Sequence, residues 1–178
     1  MTDSTRKYIP VAVTIAVISV VFLGIRSCSG YYEHKRKQAI IDEELVKLRK
    51  ARTQLDSLTE LYGSTPRRDL STVVIPELIK LRDQVGEIPT QETPVCLSSL
   101  STSLKQATEK TLESVKAFAD ISYDSSSIEI SAMLAESRSS LYLQEARGFK
   151  SKADEILARS KSMNADKFMA YCFESKGK

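Results

Sequence analysis

The chain of 178 residues has no tryptophan, a single histidine, three cysteines, five prolines and six glycines. Each scarcity narrows what the protein can be. The one histidine, His34, sits in the basic run YYEHKRK, and no cysteine or carboxylate cluster accompanies it at metal-ligand spacing. A metal centre is therefore not expected, and His34 reads as a solvated or headgroup-facing residue. The glycine-rich phosphate loops, the G-x-S-x-G elbow and the H-E-x-x-H pair are absent as well, so neither a cofactor nor a set of catalytic residues is expected. Carboxylate pairs do occur at Glu43-Glu44 and Asp154-Glu155, but on the polar faces of amphipathic segments. They read as solvated charge rather than an acid-base couple.

An excess of one charge sign is also missing. Twenty-six Lys and Arg against 23 Asp and Glu leave a formal charge of +3, without the clustered basic face that binding to nucleic acid requires. Few glycines and prolines mean few turns. With Leu, Ala, Ser, Glu and Lys abundant, the fold class expected is all-α, and the length allows one ordinary domain beside a targeting or membrane segment.

What the sequence does contain begins with an uncharged run of 18 residues, YIPVAVTIAVISVVFLGI, from Tyr8 to Ile25. As a helix at ~1.5 Å per residue it would extend ~27 Å, close to a bilayer's hydrocarbon thickness. Pro10 falls near its start, where a helix tolerates proline. Tyr8 on one side and Tyr31 and Tyr32 on the other suit the headgroup level, and Arg26, Lys35, Arg36 and Lys37 suit a membrane interface as snorkelling or lipid-facing cations. A cleaved signal would have a shorter apolar run and small residues at its end, whereas Arg26 interrupts the approach to Ser27 and Ser29. A lipidated Cys28 would have a small or aliphatic residue at position 26. The reading adopted is a single transmembrane signal anchor over 8–25, preceded by a tail (1–7) and followed by a juxtamembrane linker (26–31) and a helical domain (32–178). Membrane lipid is then a partner through residues 8–25. The localisation expected is single-pass in a bacterial inner membrane, with the C-terminal domain in the periplasm. Basic residues on both flanks leave the sidedness open.

Beyond Gly30 the pattern is helical. Ile41, Leu48, Leu55 and Tyr62 recur every seven residues, marking a helix from about Tyr32 to Tyr62 that Gly63 stops. A second helix is expected from about Pro66 to Val85, with a kink or restart near Ile75 caused by Pro76. The loop GEIPTQETPV precedes a third, from about Cys96 to Ile121. Ser126 and Glu129 have capping-box spacing ahead of a fourth. The fourth helix carries large residues at sevens (Ile128, Ala135, Tyr142, Phe149, Ile156, Met163) flanked by Ala132, Ser139, Ala146, Ala153 and Ser160. Such a stripe lets a neighbouring helix approach closely. Ala135, Tyr142, Ala146, Phe149, Ala153 and Ile156 are accordingly either bundle core or a coiled-coil-like seam with another chain. Four helices on short connections suggest an up-down bundle.

A straight fourth helix would carry Cys172 ~30 Å past the level of Cys96 at ~1.5 Å per residue. A reversal near Lys161-Ser162 would bring the two together, with ADKFMAYCF as a short C-terminal helix folding back. A Cys96–Cys172 disulfide and a pair of buried thiols are the two alternatives, and only the first argues for an oxidising compartment. The function expected is a membrane-anchored, non-enzymatic adaptor or assembly module that meets a protein partner in the envelope or itself. Two alternatives are an envelope-spanning lysis protein, similar in layout to the inner-membrane spanins of phages, and a ligand-sensing or inhibitor bundle.

Overall fold

The structure, a computed structural model, describes the backbone of residues 5–86, 94–120 and 128–174 and the side chains of residues 31–86, 94–120 and 131–173. Among the described residues it is all-helical: α1 (Thr5–Ser64), a 3-10 turn (Arg67–Asp69), α2 (Leu70–Gly86), α3 (Val95–Ala119), α4 (Ile128–Ser162) and α5 (Ala165–Glu174). The chain forms two compact units, Met1–Ile40 and Ile41–Lys178.

The second unit is a helical bundle. Its core is built from the stripes that the seven-residue spacing marks: Leu48 and Leu55 on α1; Leu70, Val74, Leu78, Leu81 and Val85 on α2; Leu97, Leu100, Leu104 and Val115 on α3. Each is almost fully withdrawn from water, and burial of a leucine contributes roughly 1.5–3 kcal/mol before chain entropy is set against it. The helices alternate in direction. Arg49, Arg52, Asp56 and Tyr62 along α1 meet Ser160, Asp154, Lys150 and Ser139 in falling order along α4. Lys110 and Ser114 of α3 likewise meet Glu145 and Ser139.

α3 packs extensively against α4, and α2 packs along α3. Small buried residues explain it: Ser103, Ala107, Thr111 and Ser114 on α3 and Ala135, Ser139, Ala146 and Ala153 on α4 let the backbones approach. Thr108 and Thr111 donate to the carbonyls of Leu104 and Ala107 (2.8 Å each), so their hydroxyls need no partner across the seam. α1 meets α4 through the side chains of Arg49, Arg52, Asp56 and Tyr62, and its leucines join the common core.

The structure differs from several of these expectations. The stretch 26–31, read as a linker, is helical backbone within the 60-residue α1. Gly24 and Gly30 cost only about 1 kcal/mol each in a helix interior, which neighbouring turns absorb. The restart near Pro76 is also absent, since α2 runs through it unbroken. Pro76 and Thr72, whose carbonyl loses its amide partner, both lie on the exposed side, where water can serve that carbonyl. The loop 87–93 and the capping box at Ser126 lie outside the described residues.

The membrane placement is overturned. Among the described residues no helix is long and apolar enough to cross a membrane, which goes against a single-pass protein and with it the signal anchor and the inner-membrane and periplasmic localisation. The described part of α1 carries Glu33, Lys35, Arg36, Lys37, Asp42, Glu43 and Glu44 within three turns, a density of charge that lipid does not accept. The side chains of the run 8–25 lie outside the described residues.

The chain reversal before α5 is present. α4 ends at Ser162, and Asn164 caps α5 by accepting the Lys167 amide at its side-chain oxygen (2.9 Å). Phe168, Met169 and Cys172 of α5 are buried against the bundle. Cys172 reaches Cys96 at the start of α3, with Cα atoms 4.7 Å apart in a disulfide that spans 76 residues of sequence. Closing a loop of that length removes about 4 kcal/mol of unfolded-chain entropy. Intact-mass analysis without reductant should find both thiols absent, and Cys96→Ser with Cys172→Ser should lower the free energy of unfolding by about 2–5 kcal/mol. Two free thiols would refute the bridge.

Candidate interaction surfaces

Each group of residues singled out from the sequence has a definite place. Of the α4 stripe, Ala135, Ala146 and Ala153 are buried, and Tyr142, Phe149 and Ile156 are half-buried. Phe149 and Ile156 pack against the core cluster, and the Lys110 ammonium lies 5.1 Å from the Tyr142 ring. This face is taken up within the chain.

Between the stripes lies a hydroxyl node. The Ser139 oxygen is 2.8 Å from the Ser114 hydroxyl and 2.8 Å from the Tyr62 hydroxyl, so one small side chain joins α4 to both α3 and α1. Ser114 is fully buried, and a hydroxyl there needs its partner. The Tyr62 ring meets Phe118 edge-on at 6.1 Å, and the Arg67 guanidinium lies 5.1 Å from the Phe118 ring. These contacts close that end of the bundle.

Toward the other end, charge replaces hydroxyl. Arg52 donates to both oxygens of Asp154 (2.7 and 2.9 Å) and also to Asp56, which in turn accepts from Lys150. Two cations and two anions thus alternate across α1 and α4. Burial pushes the Asp56 carboxyl up, but the hydrogen bonds from Lys150 and Arg52 outweigh it and hold the group below its ordinary range. A depressed carboxylate stabilises the fold fully above its unfolded value, near about 3.9, and the contribution is lost as the pH falls through the folded value. The Lys110 ammonium, held by Glu113 and then Glu145, is shifted upward.

In the first unit, Tyr31 and Tyr32 are exposed and meet edge-on at 6.1 Å, and Lys35 lies 4.8 Å from the Tyr31 ring. Lys37 pairs with Glu33 at 2.6 Å. Arg36 is exposed, while the side chains of Tyr8 and Arg26 lie outside the described residues. The aromatic and cationic groups therefore engage one another along the helix, and their role as a membrane interface goes with the anchor.

Two surfaces were not singled out by the sequence patterns. On the side of α4 turned away from the seam, Met133, Leu134 and Leu141 are 71%, 55% and 54% exposed. Helical spacing puts Ser137, Gln144 and Gly148 on the same side, so the strip is uncharged through about four turns. The signal was present as apolar residues that fall outside the seven-residue stripe. The second surface is a groove of ≈ 800 Å³ between α1 and α2, lined by Leu48, Ala51 and Val85 below and by lysines and amides above. Nothing in a single helix pattern reports a gap between two helices.

No family model matches this chain, and no curated protein or solved structure matches it either. The residues have to speak for its role.

Ser139→Ala should cost about 1–3 kcal/mol in denaturant unfolding, because the buried Ser114 hydroxyl and Tyr62 lose their shared partner. A cost no greater than that of Ser140→Ala, an exposed neighbour, would show the node to be incidental. Separately, Asp56→Asn should destabilise most near neutral pH, and the difference from the parent should shrink as the pH falls below about 4. A pH-independent difference would exclude the ion network as its source.

Proposed function

We propose that this chain is a non-enzymatic helical interaction module that works by protein–protein contact, with the outer strip of α4 as its contact surface. The observation that carries this reading is the exposure of Met133, Leu134 and Leu141 on one side of a helix whose opposite side is fully engaged in the seam. Scattered exposed leucines are ordinary, but an uncharged apolar strip rimmed by charge is the form of a contact site. The bundle supports the role by rigidity: the hydroxyl node and the ion network tie α4 to α3 and α1, and the disulfide ties α5, which follows α4, back to α3, so little ordering remains to oppose association.

The rim favours a second copy as one partner. Arg138 and Glu145 lie three residues before and four after Leu141 on the same edge of α4. In an antiparallel pair of α4 helices centred on Leu141, Arg138 of each copy falls opposite Glu145 of the other, and the two-fold axis forms the pair twice. Lys110 already holds Glu145 through one oxygen, at 3.1 Å. A photoreactive amino acid placed at Ser137 should form a protein adduct, to itself or to another chain, and Leu134→Glu with Leu141→Glu should abolish it without changing the unfolding midpoint. A Ser137 probe that yields no adduct would dismiss this surface.

The groove between α1 and α2 favours a second reading, the ligand-binding bundle, because gaps between bundle helices are common small-molecule sites.

A further inference from the structure

The groove has a composition that selects a ligand, independently of any protein partner on α4. Its floor is Ala51, half-buried, whose short side chain leaves space toward α2; Leu48 and Val85 lie beneath, almost fully withdrawn from water. Its volume of ≈ 800 Å³ falls in the usual range for small-molecule sites, roughly 300–1,000 Å³. The apolar surface that water reaches there belongs to Ala51 and to the aliphatic stems of the exposed Lys47, Lys50 and Lys80, and covering it is favourable.

The walls carry three lysines and one acid. Lys47 is engaged by Glu43 and Glu44, each at 2.9 Å, so Glu44, the sole acidic lining residue, is matched by Lys47. Lys50 on α1 and Lys80 on α2 remain, and neither has an ion-pair partner among the described residues. Two uncompensated cations on opposite walls raise the local potential toward anions. The hydroxyls of Thr53 and Ser57 donate to carbonyls of their own helix, Arg49 (3.1 Å) and Thr53 (3.3 Å). The Gln54 and Gln84 amides also line the space.

We propose that this groove binds an organic anion with an apolar body, its acid group held by Lys50 and Lys80 and its body lying on Ala51 and the aliphatic stems of the lining lysines. A carboxylate and a phosphate monoester share this chemistry. A cationic or purely apolar ligand would leave the two ammonium groups opposed or unmatched, and a small inorganic anion would leave the floor wet.

The full-length chain should be titrated with decanoate and with decyl phosphate, followed by calorimetry and by the unfolding midpoint, with decanol and decyltrimethylammonium as uncharged and cationic comparisons. At least one anion is expected to bind saturably at one site and raise the midpoint, with affinity falling as salt is added. The stronger of the two identifies the acid group preferred. Lys50→Glu and Lys80→Glu, each at an exposed position, should weaken that binding by about tenfold or more while leaving the unliganded midpoint unchanged. Equal binding of decanol, binding indifferent to both substitutions, or no saturable binding of either anion would each overturn the proposal. Ala51→Phe, which fills the floor, should remove binding without reversing any charge, and retention of full affinity there would place the site elsewhere.

Discussion

The close approach of α3 and α4 is the constraint on which the rest of this bundle depends. Two helices come together at this range only where side chains at the contact are small, and here serine, alanine and threonine alternate along both faces. That proximity has a price in chemistry: the hydroxyls buried with it must each find an acceptor or donor. Thr108 and Thr111 solve this within α3, and Ser114 solves it across the seam by meeting Ser139. The same serine then offers its oxygen to Tyr62 of α1. A close helix pair thus creates the anchoring point for a third helix.

α1 is held in another way. Its leucines contribute to the common core, and its attachment to α4 runs through Arg49, Arg52, Asp56 and Tyr62, a row of long or polar groups. Hydrogen-bonded ion pairs of this kind add less stability than buried apolar area, because desolvation opposes them; their contribution is to direction and register, since each cation finds its anion only when α1 and α4 run antiparallel at one offset. α1 also lines the groove beside α2.

Much of this was readable in the residues. The seven-residue recurrence of Leu48, Leu55 and Tyr62, and of the α4 stripe, is a local property of each helix and marked its buried side correctly. The reversal near Lys161-Ser162 was legible, since counting helical rise showed that Cys172 meets Cys96 only if the chain turns back there, while the bridge itself stood as one of two alternatives. Continuity of α1 through Gly24 and Gly30 was not legible, because a glycine cost near 1 kcal/mol is decided by the turns around it. The apolar run 8–25 suggested a membrane span, and the absence of any sufficiently long apolar helix among the described residues runs against it. The outer strip of α4 escaped notice since Met133, Leu134 and Leu141 acquire meaning only once the opposite side of the helix is known to be occupied.

The sequence alone determined that the chain is helical, where most helices begin and end, and which side of each is apolar, because period, capping and proline placement act within a few residues. Tertiary structure decided how closely α3 and α4 pack, that Ser139 would serve two neighbours, that Arg52, Asp56, Lys150 and Asp154 would share one network, and that Lys50 and Lys80 would line one groove. These depend on residues up to a hundred positions apart along the chain, and only the packing of side chains of particular size sets their distances.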